Sequence, residues 1–187
     1  MGNKVMKNSI KNFGMYIGAI LLAASLLEGC GNKGVPEEEL VSKDSFEGQY
    51  LVTADYVKEH AGDENVILVD CRGADKAKRE TLEGAIATTW QEIGTCSESY
   101  GAAGDEGWGK IPEPSELSEK LGELGMDKNK ELILLGETLN GWGDDARVLW
   151  ELAAAGYTEV KMVDGGYSAA KEAGVPTQKG ASDPEPV

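Results

Sequence analysis

Few side chains in this 187-residue chain can carry covalent chemistry. There are three thiols, at Cys30, Cys71 and Cys96, and one imidazole, at His60. A thiol becomes a nucleophile or metal ligand only as its thiolate. With one histidine and no clustered Cys/His spacing, the sequence holds no zinc signature. The acid pairs Asp105–Glu106 and Asp144–Asp145 lack the spacing of a calcium loop. No metal or other cofactor is implied. The stretch best placed for chemistry is "ELILLGETLNGWGDDARVLW", Glu131 to Trp150. It reads as an apolar strand, a glycine-punctuated loop and an amphipathic helix. A strand that leads through a loop into a helix N-terminus is a common place to hold an anion or a nucleophile. Yet this loop, from Gly136 through Glu137, Thr138, Asn140, Gly141, Trp142 and Gly143 to Asp144 and Asp145, contains no Lys or Arg. Its charges are all negative. At the reduced dielectric of a cleft, like charges repel by kcal/mol rather than tenths.

The elements that must position this loop follow from periodicity and punctuation. Thr53 N-caps a helix that ends near Gly62. Val66 to Val69 form a short β-branched run that closes in Asp70, Cys71 and Arg72, as a buried strand does. A polar helical turn, "ADKAKRE", follows, and then a glycine turn and short strand in "LEGAIATTW". Gly94 to Lys110 is an inserted loop rich in glycine, serine and acids. In "PEPSELSEKLGELG", Leu117, Leu121 and Leu124 fall on one helical face, and Gly125 ends the helix. A further helix spans Asp145 to Ala155, and a last strand, turn and helix lie in "YTEVKMVDGGYSAAKEAG". Strands that alternate with helices imply an α/β fold with a mostly parallel sheet covered on both faces. In such a sheet, Asp70–Arg72, Gly136–Asp144 and Asp164–Gly166 share the rim beyond the strands' carboxyl ends.

The N-terminus reads as a leader. Lys4, Lys7 and Lys11 precede fifteen uncharged residues, Phe13 to Leu27. That run is shorter than the ~20 residues of a membrane-spanning helix and suits a signal segment. "LLEGC", with Leu27, Gly29 and Cys30, resembles the bacterial lipobox, which implies lipidation of Cys30. The expected organisation is a signal peptide at 1–29, a lipidated Cys30 with a flexible acidic tether to residue 48, a domain over 49–175, and a disordered polar tail over 176–187. The expected location is the extracytoplasmic face of the cell membrane. The chain has 18 basic and 33 acidic residues, a net charge of −15. That balance argues against nucleic acid and against charge-driven binding to an anionic bilayer.

Four segments in order resemble the rhodanese-like family. They are "VILVDCRG", "LEGAIATTW", "SELSEKLGELGMDKNKELILL" and "ARVLWELAAAGYTEVKMVDGGYSAAKEAG", together covering about Tyr50 to Val175. The resemblance implies a fold built for sulfur transfer through a loop cysteine whose persulfide is cradled by backbone N–H groups. At the matching position this sequence has Gly136. Thr81 stands where the family usually has histidine. The chain is similar to the cysteine-less N-terminal halves of tandem sulfurtransferases, which keep an "ARVxW"-like helix start. Asp70 and Arg72 resemble the family's structural pair.

The leading functional reading is therefore a non-catalytic module that binds a protein or small-molecule ligand at the former active-site rim. The rival is a sulfurtransferase that uses Cys71 or Cys96, or that acts with a separate catalytic domain. Cys71 at a strand end reads more simply as a small buried hydrophobe. Cys96 is expected to be exposed, with Glu92 and Glu98 as the acids that would raise its pKa. "GWG" occurs twice, around Trp108 and around Trp142. Each tryptophan either lines a recognition surface or folds back as a lid.

Overall fold

The computed structural model describes residues 46–137 and 141–187. The leader, Cys30, most of the tether, and Thr138 and Asn140 of the loop lie outside the described residues. Strand β1 (Leu51–Val52) leads through the Thr53 cap, whose hydroxyl accepts from Tyr56 N, into α1 (Ala54–His60). Then follow β2 (Val66–Asp70), α2 (Ala74–Arg79), β3 (Thr81–Leu82), β4 (Ile86–Ala87), α3 (Trp90–Ile93) and a 3₁₀ turn at Glu98–Tyr100. The second half runs α4 (Pro114–Glu123), β5 (Glu131–Leu135), α5 (Asp144–Ala154), β6 (Val160–Val163), α6 (Gly166–Glu172) and β7 (Thr177–Gln178). Five strands form one sheet in the order β1-β6-β5-β2-β4, and every pair in it is parallel. The α/β class and mostly parallel sheet expected from the sequence are therefore observed.

The central strand β5 shows why the sheet is covered on both faces. Leu132 and Leu134 join a core with Leu117 and Leu121 of α4 and Val148 and Leu152 of α5. Ile133 and Leu135 point to the opposite core, with Val57 of α1 and Tyr167 and Ala170 of α6. These four side chains are fully buried, so after Glu131 the strand is a continuous apolar run rather than alternating. Its register with β2 runs from Val66↔Glu131 to Asp70↔Leu135. That register puts the ends of the two strands, and the loops after them, side by side.

Two local readings are corrected, at Trp90 and at residues 176–187. Trp90 does not close a strand but opens α3, because Thr89 and Glu92 form a reciprocal capping box around its first turn. The loop from Gly94 to Lys110 has its ends tied together. The Thr95 hydroxyl donates to Gly107 O at 2.6 Å and accepts from Lys110 N at 2.8 Å.

Residues 176–187, expected as a disordered tail, are instead fastened to the domain. β7 pairs antiparallel with β3 through Thr81↔Gln178 and Leu82↔Thr177. Beyond it, Gly180 N donates to Ala77 O, Ser182 N to Ala85 O, and Val187 N to Gly122 O. Backbone pairing holds most of this polar segment, and the Gln178 side chain adds bonds with Gly84 N, Gly180 O and Ser182 Oγ. Gly125 has φ +69, and a Cβ there would lie 2.7 Å from Glu185 O. Gly125→Ala is expected to cost ~1–3 kcal/mol through the strained φ and the clash, read as a lower thermal midpoint. Faster hydrogen exchange at the Val187 amide should accompany it. An unchanged midpoint would contradict the tail's attachment at this helix end.

Candidate functional site

The carboxyl ends of β2, β5 and β6 form the rim, and its firmest feature is the Asp70 carboxylate. Asp70 is completely buried. Arg72 grips it with a two-pronged fork, Nε to Oδ1 at 2.9 Å and Nη2 to Oδ2 at 2.7 Å. Arg72 N adds a bond to Oδ1 at 3.0 Å, and the Thr81 hydroxyl donates to Oδ2 at 2.7 Å. A bidentate guanidinium with further donors is the arrangement that offsets burial of a carboxylate. Arg72 also donates to Glu80 O at 2.8 Å and lies 3.4 Å over the Tyr167 ring. Tyr167 O–H donates to Glu80 Oε1 at 2.6 Å, and Lys171 pairs with the same carboxylate. Burial and the Glu80 bond raise the Tyr167 hydroxyl's pKa, while its Lys171 and Tyr167 partners lower that of Glu80. Asp70 and Arg72 thus fasten β2 to β3 and α6.

Cys71 follows Asp70 and is 1% exposed. Its N–H donates to Leu135 O at 3.0 Å. Burial raises its thiol's pKa well above the usual range, and Asp145, Asp70 and Asp144 add to the rise. Cys96 is partly buried rather than exposed. Burial raises its thiol too, and the acid responsible is Glu151 rather than Glu92 or Glu98. Both thiols are free.

Gly136 begins the loop, and its carbonyl accepts from Tyr167 N at 3.1 Å. A Cβ placed on Gly136 would overlap Oδ2 and Cγ of Asp145 and lie 2.7 Å from Oδ1. The Asp145 carboxylate therefore fills the space where a side chain at 136 would begin. Asp144 and Asp145 occupy the first turn of α5, after Gly143 in the left-handed region (φ 77). Acids there suit the positive end of the helix. Asp145 Oδ1 accepts from Ala146 N at 2.9 Å. Burial raises the carboxyl's pKa, and Asp144 contributes. The sequence reading omitted Asp145 from the candidate site. Its proximity to Gly136 is a contact between residues nine apart, which periodicity does not encode. Glu137 forms an ion pair with Lys76 of α2, so a cation reaches the loop from outside it.

The two tryptophans separate. Trp142 is 96% exposed. It lines a cleft of about 340 Å³ with Trp90, Gly109, Gly143, Asp144 and Arg147. Trp108 is half-buried and packs edge-on against Trp90, with ring centroids 5.7 Å apart. Arg147 is the hub of this side. It donates to Gly109 O at 2.7 Å and to Glu151 Oε1 at 3.1 Å. Its guanidinium lies 5.2 Å from the Trp90 ring and 4.4 Å from that of Trp150. Glu151 is fully buried, and its Oε2 has no hydrogen-bond partner among the described residues. Burial pushes the carboxyl's pKa to about 7, against the opposing pull of Arg147 and Lys120. Among the described residues, no group of three or more His, Cys, Asp or Glu side chains is arranged to hold a metal ion.

The model of the Rhodanese-like domain family matches residues 53–173. No curated protein sequence matches the chain. Among solved structures, 3-mercaptopyruvate sulfurtransferase from Leishmania major superposes with a TM-score of 0.59 at 19% identity, over 75% of this chain and 39% of that one. SseA from Escherichia coli, described as a 3-mercaptopyruvate sulfotransferase with the "Rhodanese" fold, gives 0.57 at 18%, over 74% and 55%. An anaerobic ergothioneine biosynthesis enzyme from Chlorobium limicola gives 0.59 at 18%, over 74% and 36%. At these identities the likeness is one of fold, and the chain spans less than two thirds of each neighbour.

Two outcomes follow from the geometry. Arg72→Lys keeps the charge but loses the fork and the ring contact, so ~2–3 kcal/mol of stability should be lost. Urea unfolding with an unchanged slope would record this, and a midpoint like wild type would contradict the rim network. For Glu151, the folded pKa of about 7 lies above the ordinary 4.5. Its stabilising contribution is therefore complete below about pH 4.5 and is lost as pH rises to about 7. Glu151→Gln should be stabilised relative to wild type as pH rises through that window. Parallel stability–pH curves would refute this assignment.

Proposed function

The chain belongs to the rhodanese-like domain family, and from that membership we propose that it is a non-catalytic member which binds a ligand or partner at the former active-site rim. The observation that carries this reading is the pairing of Gly136 with Asp145. Where the resemblance implies a sulfur-carrying cysteine, the residue has no side chain, and a carboxylate occupies the adjoining space. A thiolate nucleophile needs positive surroundings, but Lys76 is already paired with Glu137 and Arg72 with Asp70. The other thiols are poor substitutes. Cys71 is sealed in the core, and the pKa values of both Cys71 and Cys96 are raised, so the thiolate is scarce at neutral pH. Trp142, nearly fully exposed beside Asp144, supports recognition at this rim.

The resemblance of "LLEGC" to a lipobox supports a lipid anchor on Cys30 and an extracytoplasmic location. The acidic residues that follow would then act as a tether holding the domain away from the bilayer. The likeness to cysteine-less halves of tandem sulfurtransferases supports a partner role rather than independent turnover.

The full chain, incubated with thiosulfate and examined by intact mass, is expected to gain no sulfur while remaining folded. Gain of one sulfur, removed by cyanide and abolished by Cys71→Ser or Cys96→Ser, would overturn the non-catalytic reading and identify the nucleophile.

A further inference from the structure

Gly136 is not glycine for conformational reasons. It is absent from the positive-φ glycines, so its backbone lies where other residues are at ease. What a side chain at 136 would meet is the Asp145 carboxylate, which lies across the site of its Cβ. That carboxylate is half-buried, its pKa is raised by burial, and it has no ion-pair partner among the described residues. A partly buried carboxylate without a countercharge is costly to keep. Among the described residues its hydrogen bonds are to backbone N–H groups, its own and that of Ala146. The position is therefore defined jointly by two residues nine apart in sequence.

We propose that Asp145 is an internal plug: its carboxylate fills the space above Gly136, admits only glycine there, and keeps the rim closed to thiolates and to anionic sulfur donors. This rests on the reading of Gly136 as the vacated nucleophile position. The plug acts in two ways. It excludes a β-carbon by contact, and its negative charge opposes a thiolate or an oxyanion at the same place. Loss of sulfur chemistry here is then a two-residue change, and restoring a thiol at 136 alone does not reverse it. With the plug removed, an introduced thiolate can attack the outer sulfur of thiosulfate. The S–S bond of a persulfide forms, the thiosulfate S–S bond breaks, and sulfite leaves with its electron pair. Cyanide would remove the outer sulfur as thiocyanate and return the thiolate.

Two sets of full-length variants test this. In the first, the thermal stability cost of Gly136→Ala is measured alone and in the Asp145→Ser background, a readout independent of sulfur chemistry. The cost should be clear in the wild type and largely absent in the Asp145→Ser background, and equal costs would overturn the plug. In the second, Gly136→Cys and Gly136→Cys/Asp145→Ser are compared for alkylation by iodoacetamide at neutral pH and for sulfur gained from thiosulfate by mass. The double variant should react about ten-fold faster or more, in line with a shift of a pKa unit or more, and should take up more cyanide-labile sulfur. Equal or slower reaction than the single variant would overturn the proposal while leaving the non-catalytic reading intact. Sulfur uptake by the wild type would instead overturn that reading and leave the stability comparison to judge the plug.

Discussion

A carboxylate with no access to water fixes the functional end of this fold. Asp70 closes β2 inside the protein, and an ionised carboxylate there is tolerable only because Arg72, Thr81 and a backbone N–H meet it from several directions. Satisfying it ties the end of β2 to the start of β3, and through Glu80 and Tyr167 to the start of α6. Tyr167 N in turn holds the Gly136 carbonyl at the end of β5. The neighbouring strand ends are thus fastened into one rigid rim. The loop after β5 is built on that rim, whatever chemistry the loop carries.

On this scaffold, charge has been rearranged around position 136. Three cations face internal acids: Arg72 faces Asp70, Lys76 faces Glu137, and Arg147 faces Glu151. The acids at the start of α5 keep no such partners among the described residues. On the proposed reading, those unpaired acids oppose anionic sulfur donors at this rim. On the far side of α5, Arg147 gathers Trp90, Trp150 and the Gly109 carbonyl around the buried Glu151. That cluster anchors the inserted loop to α5, and Trp142 stands almost fully exposed beside it.

Much of the framework could be read from local pattern. The Thr53 cap, the Leu117/Leu121 face of α4 and the continuous apolar run of β5 each follow from spacing and burial, because the forces that form them act over a few residues. What escaped were pairings between distant segments. Nothing in "PTQKGASDPEPV" announces that Thr177 and Gln178 will pair with Leu82 and Thr81, since the bonds are made by the backbone and not by side chains. The α3 helix was hidden because its evidence is the reciprocal Thr89–Glu92 cap rather than an apolar stripe. The absence of a nucleophile at 136 was legible from the glycine itself. That its space is filled was not, because Asp145 stands nine residues on, in the first turn of α5, and local pattern does not show that the two meet. Lys76 reached Glu137 in the same nonlocal way.

The most direct measurement is a high-resolution crystal structure of the chain soaked with thiosulfate. The account predicts the Asp145 carboxylate packed against Gly136, with no anion in the loop and no added sulfur on either Cys71 or Cys96. Thiosulfate seated over Gly136 with Asp145 swung aside, or a persulfide on either cysteine, would contradict it.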